Sequence, residues 1–193
     1  MKEQMHDFGD GKDPVPFHIH TNGGGWVADT AKVHNSAYIG PDARVSGAAQ
    51  VYGNARVSGD AWVSGDARVS GDVQVFGNAR VCGDVKIFGN AWVHGAAQVY
   101  GNARVSGDAW VSGDARVSGA AQVNRGMYTS TPTSITRSDG YMFTLQSDGS
   151  IVAGCRDFTP DEAKAHWGRN EHHKHRESMA IVTALNAIAA ERQ

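Results

Sequence analysis

Four of the nine histidines of this chain fall in one short run, "HWGRNEHHKH", as His166, His172, His173 and His175. His172 and His175, at i and i+3, would share a helix face and could hold a metal ion, with Cys155 as a further ligand. Structural zinc, however, takes paired, regularly spaced Cys and His ligands. One thiol beside a His run does not supply that pattern. The run is therefore read as a polar helix start, and Cys155 as a small buried apolar residue. His18 and His20, in "FHIH", would share one side of an extended segment, which offers two ligands and no third. His34 and His94 are the bases a catalyst would use, but a general base needs an orienting partner and a pocket. Neither is visible around them in the sequence. No catalytic residue, metal or cofactor is expected.

The frame that carries His34 and His94 is a repeat. From Val27 to Val123, every sixth residue is Val or Ile, seventeen in all, without an insertion. Two positions before each stands a small residue, Gly, Ala or Val, and from Gly47 to Gly119 a glycine follows two positions after. In a strand, residues i−2 and i point to one side and i−1 and i+1 to the other. Ala and Val therefore face inward, and Arg, Trp, Gln and Ser face outward. Gly-Asp and Gly-Asn would turn the corners, because Gly and Asn tolerate positive φ. A strand this short cannot bury its apolar side alone, so the units must stack. Three sides of six residues make an 18-residue triangular coil, and residues 27–124 make about five such coils.

"GDARVSGDAWVSGDARVSG" resembles the hexapeptide-repeat family, whose members form left-handed parallel β-helices. The likeness covers about residues 25–124. It implies the left hand, which the period alone does not give. It also brings acyltransferases into view as the alternative function, since many members are such enzymes. In those a loop usually interrupts the coil and a His acts between subunits; here no loop interrupts it. The flanking strings "GGGWVADTA" and "SDGY…AGC" resemble small proteins carried by bacteria and their phages. That resemblance implies an accessory role, such as binding and blocking a host protein complex.

Residues 18 apart should be neighbours in adjacent coils, which sorts the outward residues onto three sides. One side brings Trp92 above Phe76 and below Trp110, with His94 on the same strand as Trp92. Phe76, Trp92, His94 and Trp110 should form one exposed aromatic patch, and contiguous surface of this kind marks an interface. Self-association, cover by the C-terminal segment and a foreign protein are its three readings. The 25 residues from Gly47 to Gly71 recur unchanged from Gly95 to Gly119. The offset of 48 is not a multiple of 18, so the second copy is turned onto another side. That argues against a regular ligand-binding array.

Eight acids and eight bases balance between residues 27 and 124, and the whole chain has a net charge of −2. Nucleic acid is not expected as a partner. No apolar run reaches membrane-spanning length, and with two cysteines and no apolar leader a cytoplasmic location is expected. Residues 1–24 read as an irregular N-terminal cap, 25–124 as the β-helix, and 125–193 as a C-terminal cap. Within the last, strands are expected at Ser134–Arg137, Tyr141–Gln146 and Ile151–Gly154. A helix should start after Thr159, with Pro160 first and Glu162 completing a capping box, and a second helix should run from about Glu171 to Glu191. The expectation is a mainly β protein, a non-catalytic scaffold assembling as a dimer or trimer, with a host protein as the further candidate partner.

Overall fold

A computed structural model describes residues 5–9, 13–154, 156–169 and 174–191. Three parallel ladders wind around one dry interior. The strands beginning with Trp26–Ala28, Lys32–Val33 and Tyr38–Ile39 start what we term faces I, II and III, and each face stacks six solenoid strands. The register is the 18-residue step: Val63 pairs with Val81 and Val81 with Val99 on face I. The inward Ala and Val or Ile residues form a single cluster, nearly all of it fully buried. Alternation alone explains this, since an inward column of small branched residues fills a narrow prism while the outward column is free to vary. The duplicated segment lands as expected, with Trp62 on face I and its copy Trp110 on face III.

The corners differ from the sequence reading in one respect. Only the glycines take positive φ; among the described residues the one other such residue is Lys174, far from the coils. At Gly65, φ is +71°, and a Cβ would lie 2.7 Å from the backbone nitrogen of Gly83 in the next coil. Glycine is thus required twice, for the turn and for the close stacking of corners. Two of the Asn that follow serve instead as side-chain rungs: Asn54 Nδ2 donates to Asp72 Oδ1, and Asn90 Nδ2 to Asp108 Oδ1, both at 3.0 Å.

The solenoid has about six turns rather than five. The added strand is Met127–Tyr128, which pairs with Trp110–Val111 on face III. It was hidden because the step from Val111 to Tyr128 is 17 residues. Tyr128 is buried at the end of the apolar column, and Met142 packs against the same cluster.

At the N-terminal end, Met5–His6 and Val15–Ile19 form an antiparallel hairpin whose second strand pairs with Trp26–Ala28. His6 stacks on Trp26 at 4.4 Å. After the solenoid comes a sheet of four antiparallel strands, Ser134–Thr136, Met142–Leu145, Ile151–Ala153 and Arg156–Phe158. The fourth was not expected, because "RDF" lacks the apolar alternation that marked the other three. Helix α1 (Pro160–Trp167) has the expected reciprocal capping box between Thr159 and Glu162. Helix α2 spans His175–Glu191 and buries Ser178, Ile181, Val182, Leu185 and Ala189. Both helices pack on the sheet around Phe143, Leu145 and Trp167. Among the described residues no helix is long and apolar enough to cross a membrane.

Candidate functional site

Face III carries the aromatic cluster. Its outward column runs Tyr38, Arg56, Gln74, Trp92, Trp110 and Met127, each paired with the next. Trp92 and Trp110 have ring centroids 5.0 Å apart. His94 lies flat on Phe76, at 4.7 Å and 6° between planes, and Trp92 meets Phe76 at 6.0 Å. The indole N–H of Trp110 is donated to His94 Nε2. The coil spacing of about 4.8 Å brings rings on adjacent strands into contact. Trp110 is 38% exposed and Met127 55%, while Phe76, Trp92 and His94 are half-buried beneath them.

Met127 extends this surface and escaped the sequence reading, because the missing residue in the last coil shifts it out of the period. A signal was present: "MY" repeats the outward–inward order, one place early. On face I, Trp26 meets the rings of His6 and Phe17 from the N-terminal hairpin rather than a ring of the next coil. On face II, Tyr52 and Phe88 are two coils apart with Ser70 between them. Only on face III do neighbouring coils join their rings into a continuous patch.

The other candidate residues are placed apart from one another. His34 Nδ1 is 2.7 Å from Ser36 Oγ at an exposed edge of face II. His18 Nδ1 is 2.8 Å from Asp29 Oδ1, while His20 is buried with Nδ1 near the Asn22 carbonyl. These two side chains therefore turn to different partners. His166 packs against Phe158 and Trp167, and His175 Nδ1 lies 2.6 Å from the Trp167 carbonyl. Cys155, His172 and His173 lie outside the described residues. Among the described residues no three His, Cys, Asp or Glu side chains are grouped to hold a metal. Cys82 is exposed on face I, and burial of its sulfur raises the thiol pKa against the opposing pull of Arg80. That is the opposite of what activates a nucleophile.

Face I offers a polar groove of about 630 Å³ beside the hairpin, lined by Phe8, Arg44, Trp62, Arg80 and Gln98 among others. Trp62 is fixed there by donation from Nε1 to Ser46 Oγ at 3.0 Å.

Stacked parallel coils with unbroken walls and an outward face free to vary define a β-solenoid. Residues 29–130 match the family described as "Bactofilin: Polymer-forming cytoskeletal", and the chain belongs to the bactofilin family. The expected likeness to hexapeptide-repeat β-helices holds at the level of the stacked parallel coil, and the family whose model matches is the bactofilins. Among solved structures, one from Bacillus cereus, provisionally described as an acetyltransferase, aligns over 86% of this chain and 89% of its own. Its identity is 12% and its TM-score 0.30, values that bear on neither chemistry nor assembly here. No curated protein matches the chain.

Proposed function

We propose that this protein is a non-catalytic, self-assembling scaffold whose copies meet through face III. The supporting observation is the continuous patch that Phe76, Trp92, His94, Trp110 and Met127 form across neighbouring coils of face III. Burial of such rings against a second copy would contribute on the order of 1–3 kcal/mol for each large side chain. The membership of a polymer-forming family supports self-assembly and carries no information on a host target. In this reading the repeat of residues 25–124 is the rigid building block, and residues 1–24 and 125–193 cover its ends.

The test is to replace Trp92 and Trp110 by Ser and weigh the particle by multi-angle light scattering. The expected result is a fall to the monomer with an unchanged far-UV circular dichroism spectrum. An unaltered assembly mass in a folded variant would show that face III is not the contact.

A further inference from the structure

The segment from Gly47 to Gly71 and its copy from Gly95 to Gly119 set the same tryptophan in two different surroundings. In the copy, Trp110 stands between Trp92 and Met127 on face III and joins the apolar patch. In the first, Trp62 stands between Arg44 and Arg80 on face I, one coil to either side. Gln98 follows Arg80 in the same column. A ring between two guanidiniums suits a ligand that is itself ring-shaped and anionic, and not a second apolar surface.

This stretch of face I is concave. Phe8 and Gly9, from the N-terminal hairpin, form one wall of the groove of about 630 Å³, and the coils form the other. A second hollow of about 390 Å³ adjoins it, sharing Trp62, Arg80 and Gln98 and reaching Tyr100. A cavity with an aromatic wall and a few converging polar groups is the usual form of a small-molecule site.

The polar groups that line it are open to a ligand. Among the described residues, the guanidiniums of Arg44 and Arg80 make no ion pair. Asp60 and Asn78 line the corner of the groove on adjacent coils, 18 residues apart. At that separation Asn54 bonds Asp72, and Asn90 bonds Asp108. Asp60 and Asn78 form no such rung, so a carboxylate and an amide are left to the groove. Trp62 differs, because its Nε1 donates to Ser46 Oγ. The indole is thereby held still and offers a ligand only its ring.

The lining selects among anions. The backbone N–H groups of Arg44, Trp62 and Arg80 donate to carbonyls of the next coil. An extended peptide would therefore find no backbone partners for its own amides. A phosphate dianion would be repelled by Asp60 more strongly than a carboxylate with a single charge. A sugar acid engages every group present. Its ring stacks on Trp62, its carboxylates pair with Arg44 and Arg80, and its hydroxyls donate to Asp60 and accept from Asn78 and Gln98. Arg44 and Arg80 are two coil steps apart, roughly 10 Å along the face. One sugar ring cannot reach both, and a short chain of rings can.

We infer that face I binds an acidic oligosaccharide, with Trp62 as the ring platform and Arg44 and Arg80 as the carboxylate contacts. Face III takes no part, so this site stands or falls separately from self-assembly. The test titrates the full chain with trigalacturonate and follows the Trp62 indole N–H by nuclear magnetic resonance, assigned through Trp62→Phe. We expect a saturable shift at millimolar ligand. Galacturonate alone and neutral maltotriose should each bind about tenfold more weakly or worse, since the first spans one arginine and the second offers no charge. Arg44→Gln with Arg80→Gln, two exposed positions outside the apolar column, should weaken trigalacturonate by about tenfold or more with an unchanged circular dichroism spectrum. No shift with trigalacturonate, equal binding of either control sugar, or undiminished binding by the folded double variant would overturn the inference. Triglutamate or inorganic phosphate bound as tightly as trigalacturonate would also overturn it, by giving the groove to acidic peptides or to phosphate. This ligand series uses the unaltered protein and decides the matter whether or not the double variant folds.

Discussion

Trp110 gives its indole N–H to Nε2 of His94, and the His94 ring in turn lies on Phe76 one coil below. This single contact fixes the tautomer of His94, because a nitrogen that accepts carries no proton. It also ties three coils of face III into one plate of rings, held in place before any partner arrives.

Replacing His94 by Ala should therefore weaken assembly even though Trp92 and Trp110 remain. The change uncovers Phe76 and frees the Trp110 ring. We expect about a tenfold loss in association, equivalent to about 1.4 kcal/mol, with a red shift in tryptophan emission. Sedimentation over a concentration series reads the first effect, and unchanged association would rule out a positioning role for His94.

Gly65 and Gly9 have nearly the same φ, +71° and +76°, but a Cβ at Gly65 would strike Gly83 and one at Gly9 would meet nothing within 4 Å. Both Gly→Ala changes carry the backbone cost of about 1–3 kcal/mol. Gly65→Ala adds a steric cost in the tightest part of the stack. Urea unfolding should show the larger loss for Gly65→Ala, and equal losses would mean that corner stacking contributes nothing.

Asn186, on α2, has both polar atoms of its amide buried without a hydrogen-bond partner among the described residues. A buried amide that makes no hydrogen bond is a net cost. Asn186→Leu should therefore stabilise the C-terminal module by about 1 kcal/mol, read as a rise in its melting temperature. A fall would mean that the amide has a partner in solution.

Acid should loosen the same module. The Arg137 guanidinium, hydrogen-bonded to Asp139, holds that carboxyl well below the usual range. Glu177 is lowered by the Ser138 backbone N–H and then by its hydroxyl, which pin the start of α2 to the sheet. At Asp148 burial pushes upward, but hydrogen bonds from the Ser150 hydroxyl and N–H outweigh it. All three have folded values below their unfolded ones. Their contribution is complete above the unfolded range of about 4 and is lost as pH falls through the folded values. The indole resonance of Trp167, buried in the core of the same module, should move below about pH 4. An identical resonance at pH 7 and pH 2.5 would refute this.

The sequence alone determined the coil, its inward and outward columns, the sorting into three faces and the meeting of Phe76, Trp92, His94 and Trp110. Each follows from alternation and a constant step, which are local rules repeated without error. The capping box of α1 was legible for the same reason, since four adjacent residues contain all of it. Where the step changes by one, at Met127, the periodic reading stopped while the solenoid went on. The fourth strand at Arg156–Phe158 was hidden because it forms for its neighbour's sake and not from its own pattern. Only the tertiary structure decided how the ends are closed. Gln146, whose Nε2 donates to the Gln122 carbonyl, is 24 residues from Gln122 and lies outside the repeat. Its amide serves as backbone because the folded sheet carries it to a strand edge whose polar groups must find partners. No spacing in the chain records that need, since it exists only once the coils have stacked and the last of them has no successor.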